Sequence, residues 1–372
     1  MVFGEWGIRK SYQLPSHQVT GRLTDVRMCL LSSRLASCLP AGRKRVEGSG
    51  EEQKKIPRLD LWSRSDDRRR TIMNNPLKKR YGLLGKNISY SLSPAMHNAA
   101  FKHFQINAAY ELFDENFEDK KCNIDESISS FISEKDLNGI NVTVPYKIDV
   151  HDMLKEREDC TLDEVSELLG AVNTVKISSN KLKGFNTDAS GFFESLKEEA
   201  GFDPAGKNIF LFGAGGAGRA ICIYLACLKE GGPNKIYVYD EKDISLLTLV
   251  EVCKSKTPGI CERVEEKDIS TKAAECDLLI NATPVGSAAG DNRSAVPLDS
   301  LQKGMVVYDL VYARETALIK AAKENDIIAV NGLGMLVNQA ALAFEIWTGT
   351  PFNEVKTIMK QTALNELARR KQ

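Results

Sequence analysis

The nine cysteines of this 372-residue chain include no C-x-x-C pair, and its four histidines show no metal-ligand spacing. Structural zinc sites place their ligands in such pairs, so no zinc-site pattern is present and no metal is expected. Scattered thiols of this kind read as structural or inert side chains of a reducing compartment, and a cytoplasmic location is expected. No run of eighteen apolar residues occurs, so no helix is expected to span a membrane. In residues 1–72 the charges are not clustered with aromatics, which argues against a basic nucleic-acid tail, and no nucleic-acid partner is expected. At 372 residues the chain has room for two domains and a sizeable core.

A net charge of zero conceals two unlike segments. Residues 1–72 carry 15 Lys/Arg against 8 Asp/Glu, and residues 73–372 carry 35 against 42. The first 72 residues hold 11 Arg and 4 Lys, the rest 8 Arg and 27 Lys, a shift that indicates a segment of different origin. Eight acids argue against a transit peptide. Arg34 interrupts the apolar run before Leu35-Ala36-Ser37-Cys38, which argues against a lipoprotein cleavage site. Residues 1–75 are therefore expected to be a disordered extension, or sequence upstream of a start at Met73.

From Tyr81 onward strand and helix signals alternate, which predicts an α/β fold with mainly parallel sheet. Tyr81 to Gly85 reads as a strand. Ser93-Pro94 reads as a helix start, with Ser93 at the N-cap and proline at the first helical position. Ala109 to Phe113 is a second strand, Ile128 to Ser133 lies on an amphipathic helix, and Gly139 to Val144 is a third strand. Ala171 to Ile177 and Lys181 to Phe185 read as a hairpin about Ser178-Ser179-Asn180. A second unit begins near Asp188, with a helix from about Ser190 to Ala200 and a fully apolar strand from Ile209 to Phe212. Ile236 to Tyr239, Leu278 to Ile280 and Val306 to Tyr308 are further strands of that sheet. Leu336 to Trp347 and Asn353 to Leu367 are helical.

Two stretches carry chemistry. In Gly139-Ile140-Asn141-Val142-Thr143-Val144-Pro145-Tyr146-Lys147 a lysine stands just beyond a short β-branched strand, where it can exchange a proton with a substrate hydroxyl. Free lysine titrates near about 10.4; desolvation lowers such a value and an adjacent carboxylate opposes the change. About seventy residues on, Gly213-Ala214-Gly215-Gly216-Ala217-Gly218 follows a strand and opens a helix. Its first glycine permits a tight turn, the second lets backbone approach a pyrophosphate, and the third lets helix and strand pack closely. The helix start supplies free N–H donors. Asp240 lies 22 residues past Gly218, at the next strand end, where an acid accepts hydrogen bonds from the adenosine ribose and repels a 2′-phosphate. Glu241 and Asp243 add negative charge and Lys242 is the nearby cation. This favours NAD over NADP; the alternative is an ordinary charged turn.

Several polar clusters have no evident structural purpose: Ser91-Leu92-Ser93, Asn141/Thr143/Lys147, Ala171-Val172-Asn173-Thr174 and Asn186-Thr187-Asp188. With the glycine loop and Gly332-Leu333-Gly334-Met335-Leu336-Val337-Asn338-Gln339, their order and spacing resemble the shikimate dehydrogenase family. The resemblance runs from about Tyr81 to the C-terminus and leaves out residues 1–72.

The resemblance implies reversible NAD(P)-dependent reduction of 3-dehydroshikimate to shikimate, a step of aromatic amino acid (chorismate) biosynthesis. It implies Lys147 and Asp188 as the catalytic pair. Ser91 and Ser93 would hold the substrate carboxylate, and Thr143, Asn173 and Gln339 its hydroxyls or carboxylate, with Tyr312 in contact. The cofactor would lie on Gly213, Ala214, Gly215, Gly216, Ala217 and Gly218, with Asp240, Thr283, Gly334 and Met335. Two α/β domains are implied: a discontinuous catalytic domain of residues 78–187 plus 335–372, and a Rossmann-like NAD(P)-binding domain with parallel sheet over 188–334. The partner is a small molecule, and a monomer or homodimer is expected.

The chain departs from the family pattern where NADP-using members carry Asn-Arg-Thr, having Asp240-Glu241-Lys242 instead. It also has Pro284 where serine is common. The first departure raises an NAD-dependent quinate/shikimate dehydrogenase of broader specificity as the alternative. A non-catalytic ligand-sensing homologue is disfavoured by the intact Lys147 and Asp188. A folate dehydrogenase is disfavoured because it would not need Ser91 and Ser93.

Overall fold

The computed structural model of this chain describes residues 78–117, 124–178 and 181–370. The expectations for residues 1–75, and for Ser179 and Asn180 in the hairpin turn, lie outside the described residues. In chain order the elements are β1 (Lys79–Gly85), α1 (Ser93–His103), β2 (Ala108–Asp114), α2 (Ile124–Glu134), β3 (Gly139–Val142), α3 (Lys147–Lys155), β4 (Cys160–Leu162), α4 (Glu164–Leu169), β5 (Thr174–Ser178) and β6 (Lys181–Phe185). They continue with α5 (Asp188–Ala200), β7 (Asn208–Phe212), α6 (Gly216–Ala226), β8 (Lys235–Tyr239), α7 (Asp243–Lys256), β9 (Cys261–Arg263), α8 (Ile269–Ala274), β10 (Leu278–Asn281), β11 (Val306–Asp309), α9 (Ala317–Glu324), β12 (Ile328–Asn331), α10 (Leu333–Thr348) and α11 (Phe352–Arg370).

The strands form two six-stranded sheets. The first has the order β2-β1-β3-β5-β6-β4; β1 pairs in parallel with β2 and β3, whereas β5 runs antiparallel to both β3 and β6. The second has the order β12-β11-β10-β7-β8-β9 and is parallel throughout. Its strand order reverses between β7 and β10, so the loop after β7 opens into the crevice where such sheets bind ligands.

Strand periodicity explains how the second sheet is covered. Ile209, Leu211, Ile236, Val238, Leu278 and Ile280 face a core that includes Leu196 of α5, Ile221 of α6 and Leu249 of α7. The alternate residues Phe210, Phe212, Tyr237 and Leu279 face Ala273 of α8 and Leu318 of α9. With both faces covered, β7 has no polar side, which is why it reads as a continuous apolar run. In the first sheet, Tyr81, Leu83 and Tyr110 face α1, α10 and α11, while Leu84, Ile140 and Val142 face α2 and α3. The last two helices thus return to the first sheet, and Trp347 Nε1 donates to the β5 carbonyl of Val175 at 3.0 Å. No helix among the described residues is long and apolar enough to cross a membrane.

Three local expectations differ from the structure. Ser93 is the first residue of α1 and Leu92 its N-cap, with helical backbone and no side-chain cap. The acceptor is Ser91, whose Oγ takes the Ser93 N–H at 3.2 Å. β5 begins at Thr174, because Ala171 to Asn173 form the approach to the strand. Strand β3 stops at Val142, and Lys147 is the first residue of helix α3. That helix was hidden by Pro145 and by the β-branched run before it.

Candidate active site

Lys147 is placed by the buried tyrosine that precedes it. Tyr146 Oη donates to the Glu115 carbonyl at 2.8 Å and accepts the Phe117 N–H at 2.9 Å. The Tyr146 N–H closes a turn on the Thr143 carbonyl, and the Val172 N–H on the carbonyl of Lys147 itself. The start of α3 is therefore fixed, and Lys147 Nζ donates to Asp188 Oδ2 at 2.6 Å. Both side chains are largely shielded, 23% and 14% exposed.

Asp188 begins α5, where the helix dipole favours a carboxylate. Its N–H is taken by Asn186 Oδ1 at 3.1 Å, and Asn186 in turn donates to the Ala171 carbonyl. Asn173 Oδ1 accepts the Thr187 N–H at 2.8 Å and the Thr174 hydroxyl at 3.0 Å, and its amide donates to Thr187 Oγ1 at 2.9 Å. One amide proton of Asn173 is left over after these bonds. Gly191, one turn into α5, leaves room for the backbone of Gln339; a Cβ there would stand 2.7 Å from the Gln339 nitrogen. This close approach of α5 and α10 brings Gln339 and Asp188 to the same cavity.

The opposite wall is a buried polar chain. Ser93 is hydrogen-bonded to Tyr110, and Tyr110 Oη donates to Asn141 Oδ1 at 2.7 Å. Asn141 Nδ2 donates to Thr174 Oγ1 at 2.9 Å. Burial holds the Tyr110 hydroxyl well above its ordinary range, so it stays a donor.

A cavity of about 310 Å³ joins these groups. It is lined by Ser91, Ser93, Thr143, Lys147, Asn173, Asp188, Tyr312 and Gln339, and reaches Ala217 of the glycine loop and Met335. All eight residues expected at the substrate and catalytic positions therefore face one space. Sequence reasoning did not single out Tyr90, Leu310 and Leu336, which also line it; apolar residues beside a polar motif carry no local signal. Burial raises the Tyr312 hydroxyl above its ordinary range.

The other expected cofactor positions lie away from the cavity lining. Gly213 has φ +101°, and a Cβ on it would meet the Ala282 backbone at 2.9 Å. A Cβ on Gly218 would collide with the Gly213 carbonyl, whereas Gly215 and Gly216 face open space. The outer two glycines are thus required by the fold, and the middle two leave a cradle over a helix start that has no side-chain cap. Open backbone donors in such a cradle fit a pyrophosphate. Asp240 Oδ2 accepts the Ala214 N–H at 2.6 Å and its Oδ1 the Lys242 N–H at 2.7 Å, so this acid shapes the loop and its own turn. Thr283 Oγ1 donates to Asn281 Oδ1 at 2.6 Å. Gly334 lies against Ser195 and Glu199 of α5.

A buried carboxylate ties two of these loops together. Asp309 Oδ1 accepts from Asn281 Nδ2 at 2.9 Å and from the Val311 N–H at 3.0 Å, and its Oδ2 accepts the Thr316 hydroxyl at 2.6 Å. Burial raises its pKa above the ordinary carboxylate value. It positions the segment carrying Leu310 and Tyr312 against that carrying Thr283.

Residues 83–175 match the shikimate dehydrogenase substrate binding domain, and residues 332–364 the shikimate 5′-dehydrogenase C-terminal domain. The NADP(+) shikimate dehydrogenase of Methanopyrus kandleri is 39% identical over 273 residues, covering 72% of this chain and 89% of that protein. The crystal structure of shikimate 5-dehydrogenase from Listeria monocytogenes, in complex with shikimate and NAD, superposes with a TM-score of 0.67 at 33% identity, covering 78% of this chain and 99% of that one. Quinate dehydrogenase from Corynebacterium glutamicum, in complex with NAD, also gives 0.67, at 28% identity over 77% of this chain and 99% of its own. The chain belongs to the shikimate dehydrogenase family.

Proposed function

We propose that this chain catalyses the reversible NAD(P)-dependent reduction of 3-dehydroshikimate to shikimate. The observation that carries the reading is the single cavity in which the Lys147–Asp188 pair meets five neutral hydrogen-bonding side chains, Ser91, Ser93, Thr143, Asn173 and Gln339. A small carboxylate ring with three hydroxyls needs that set. Ser91 and Ser93, beside the start of α1, receive the carboxylate. Thr143, Asn173 and Gln339 hold ring hydroxyls, and Tyr312 closes the space. Gly213 to Gly218, with Thr283, Gly334 and Met335, would hold a dinucleotide, which would supply or accept the hydride at C3. Lys147 gives a proton to the C3 oxygen on reduction and takes it back on oxidation, while Asp188 orients the ammonium and the hydroxyl. Residues 78–187 plus 335–372 act as the substrate domain and 188–334 as the dinucleotide domain; their closure excludes water from the cavity.

Asp240-Glu241-Lys242, standing where NADP-using members carry Asn-Arg-Thr, supports NAD as the preferred cofactor. The same stretch supports a second reading, a dehydrogenase that accepts quinate as well as shikimate. Initial rates with shikimate and quinate, each with NAD and NADP at mildly alkaline pH, test both. Turnover of shikimate with either cofactor is expected, NAD giving the higher kcat/KM. Saturable shikimate binding with no turnover on any of the four combinations would leave only a ligand-sensing role.

A further inference from the structure

Cys222 of α6, Cys253 of α7 and Cys261 of β9 come from three separate elements, and their sulfurs all lie within 4.8 Å of one another. Cys222 Sγ stands 3.8 Å from Cys253 Sγ and 3.5 Å from Cys261 Sγ. All three are free thiols. A metal held by three thiolates at about 2.3 Å in a plane separates the sulfurs by about 4.0 Å. The observed triangle is close to that size. An isolated pair at the edge of disulfide reach would leave the third sulfur elsewhere. Cys222 and Cys253 are 1% exposed, whereas Cys261 is half-buried and gives the cluster an edge toward solvent. The Arg219 guanidinium, one turn before Cys222 on α6, interacts electrostatically with both Cys222 and Cys253, and so offsets the surplus negative charge of three thiolates around one cation.

We propose that Cys222, Cys253 and Cys261 form a three-thiolate site for a soft d10 cation, Zn2+ or Cu+ in chemical class. Thiolates select such ions over the hard cations that prefer oxygen. The site lies outside the catalytic cavity. It would tie α6, whose first turn carries Ala217 of the cofactor loop, to α7 and to the edge strand β9. Metal loading is therefore a brace on the dinucleotide domain, with no part in the chemistry. Linear spacing could not show it, because the ligands sit 31 and 39 residues from Cys222.

The test titrates the full chain, reduced and metal-free, with Zn2+ and, anaerobically, with Cu+. One equivalent of either is expected to bind, with an X-ray absorption shell of three sulfurs at about 2.3 Å. An added oxygen in the Zn2+ arm marks a fourth, solvent ligand; three sulfurs alone in the Cu+ arm mark the trigonal form. At a hundredfold excess over Kd the melting temperature should rise by roughly 5 °C. Cys261→Ser and Cys253→Ser should each bind at least about tenfold more weakly, the loss expected when one of three ligands is removed, while shikimate-dependent turnover reports that they are folded. A triple variant, Cys29→Ser with Cys38→Ser and Cys122→Ser, should bind like the unaltered chain. A shell of nitrogen and oxygen only in the unaltered protein overturns the proposal without reference to any variant. So does binding that survives Cys261→Ser but is lost in the triple variant.

Discussion

Lys147 and Asp188 are the first residues of two different helices, and their side chains meet at 2.6 Å. The contact holds the ammonium at the wall of the cavity that Thr143, Asn173 and Gln339 also line. Lys147→Ala is expected to lower kcat by about 10²–10⁴-fold with KM for shikimate within about threefold. Steady-state kinetics check this, and turnover near that of the unaltered enzyme would remove Lys147 from proton transfer.

The wall opposite this pair rests on Tyr110, which is 3% exposed and bonded to both Ser93 and Asn141. Tyr110→Phe leaves the Asn141 oxygen buried without its donor and releases the Ser93 hydroxyl. A stability loss of about 1–3 kcal/mol is expected, the usual size for an orphaned buried acceptor. KM for shikimate should rise severalfold while kcat stays within about twofold. Urea unfolding and KM measured on the same preparation separate the two effects; a stability loss with unchanged KM would take Ser93 out of carboxylate binding.

Legibility in the sequence followed the range of the interactions. Strand β7 and the glycine loop were readable because their constraints are local: a strand covered on both faces must be apolar, and the loop must carry glycine at fixed offsets. Helix α3 was not. Its buried positions Val150, Met153 and Leu154 have helical spacing, but Pro145 and the preceding β-branched run point to an extended chain. The capping error at Ser93 arose because the acceptor is Ser91, two residues earlier, over a Leu92 whose backbone is already helical. The Asp309 network and the three-cysteine cluster join loops and elements tens of residues apart, and nothing in the local sequence announces such partners.

Asp240 has two duties that a substitution can divide. Its oxygens hold the Ala214 and Lys242 N–H groups, and a carboxylate at the end of β8 would repel a 2′-phosphate bound there. Asp240→Asn removes the charge and keeps one acceptor oxygen, so one of the two N–H bonds survives and the other is lost. The ratio of kcat/KM for NADP over NAD should rise about tenfold or more, since 1.4 kcal/mol of relieved repulsion corresponds to about that factor. An unchanged ratio would show that Asp240 only shapes the loop.

His97 gives the fold a built-in acid sensitivity. Its ring is 0% exposed, stacks on Tyr110 at 4.2 Å, and has no hydrogen-bond partner at either nitrogen. Burial pushes its pKa down to about 3. In the unfolded chain an ordinary histidine titrates near about 6.5. Between these values the unfolded state binds a proton that the folded state refuses, so the contribution is fully present above about pH 6.5 and is lost as pH falls toward 3. From pH 7 to pH 4 that loss is about 3 kcal/mol. His97→Phe keeps an aromatic ring between Tyr110 and Trp347 and removes the titration, so the fall in unfolding free energy between pH 7 and pH 4 should shrink by about that amount. Urea midpoints for both proteins at the two pH values measure it, and equal falls would assign the acid sensitivity to other groups.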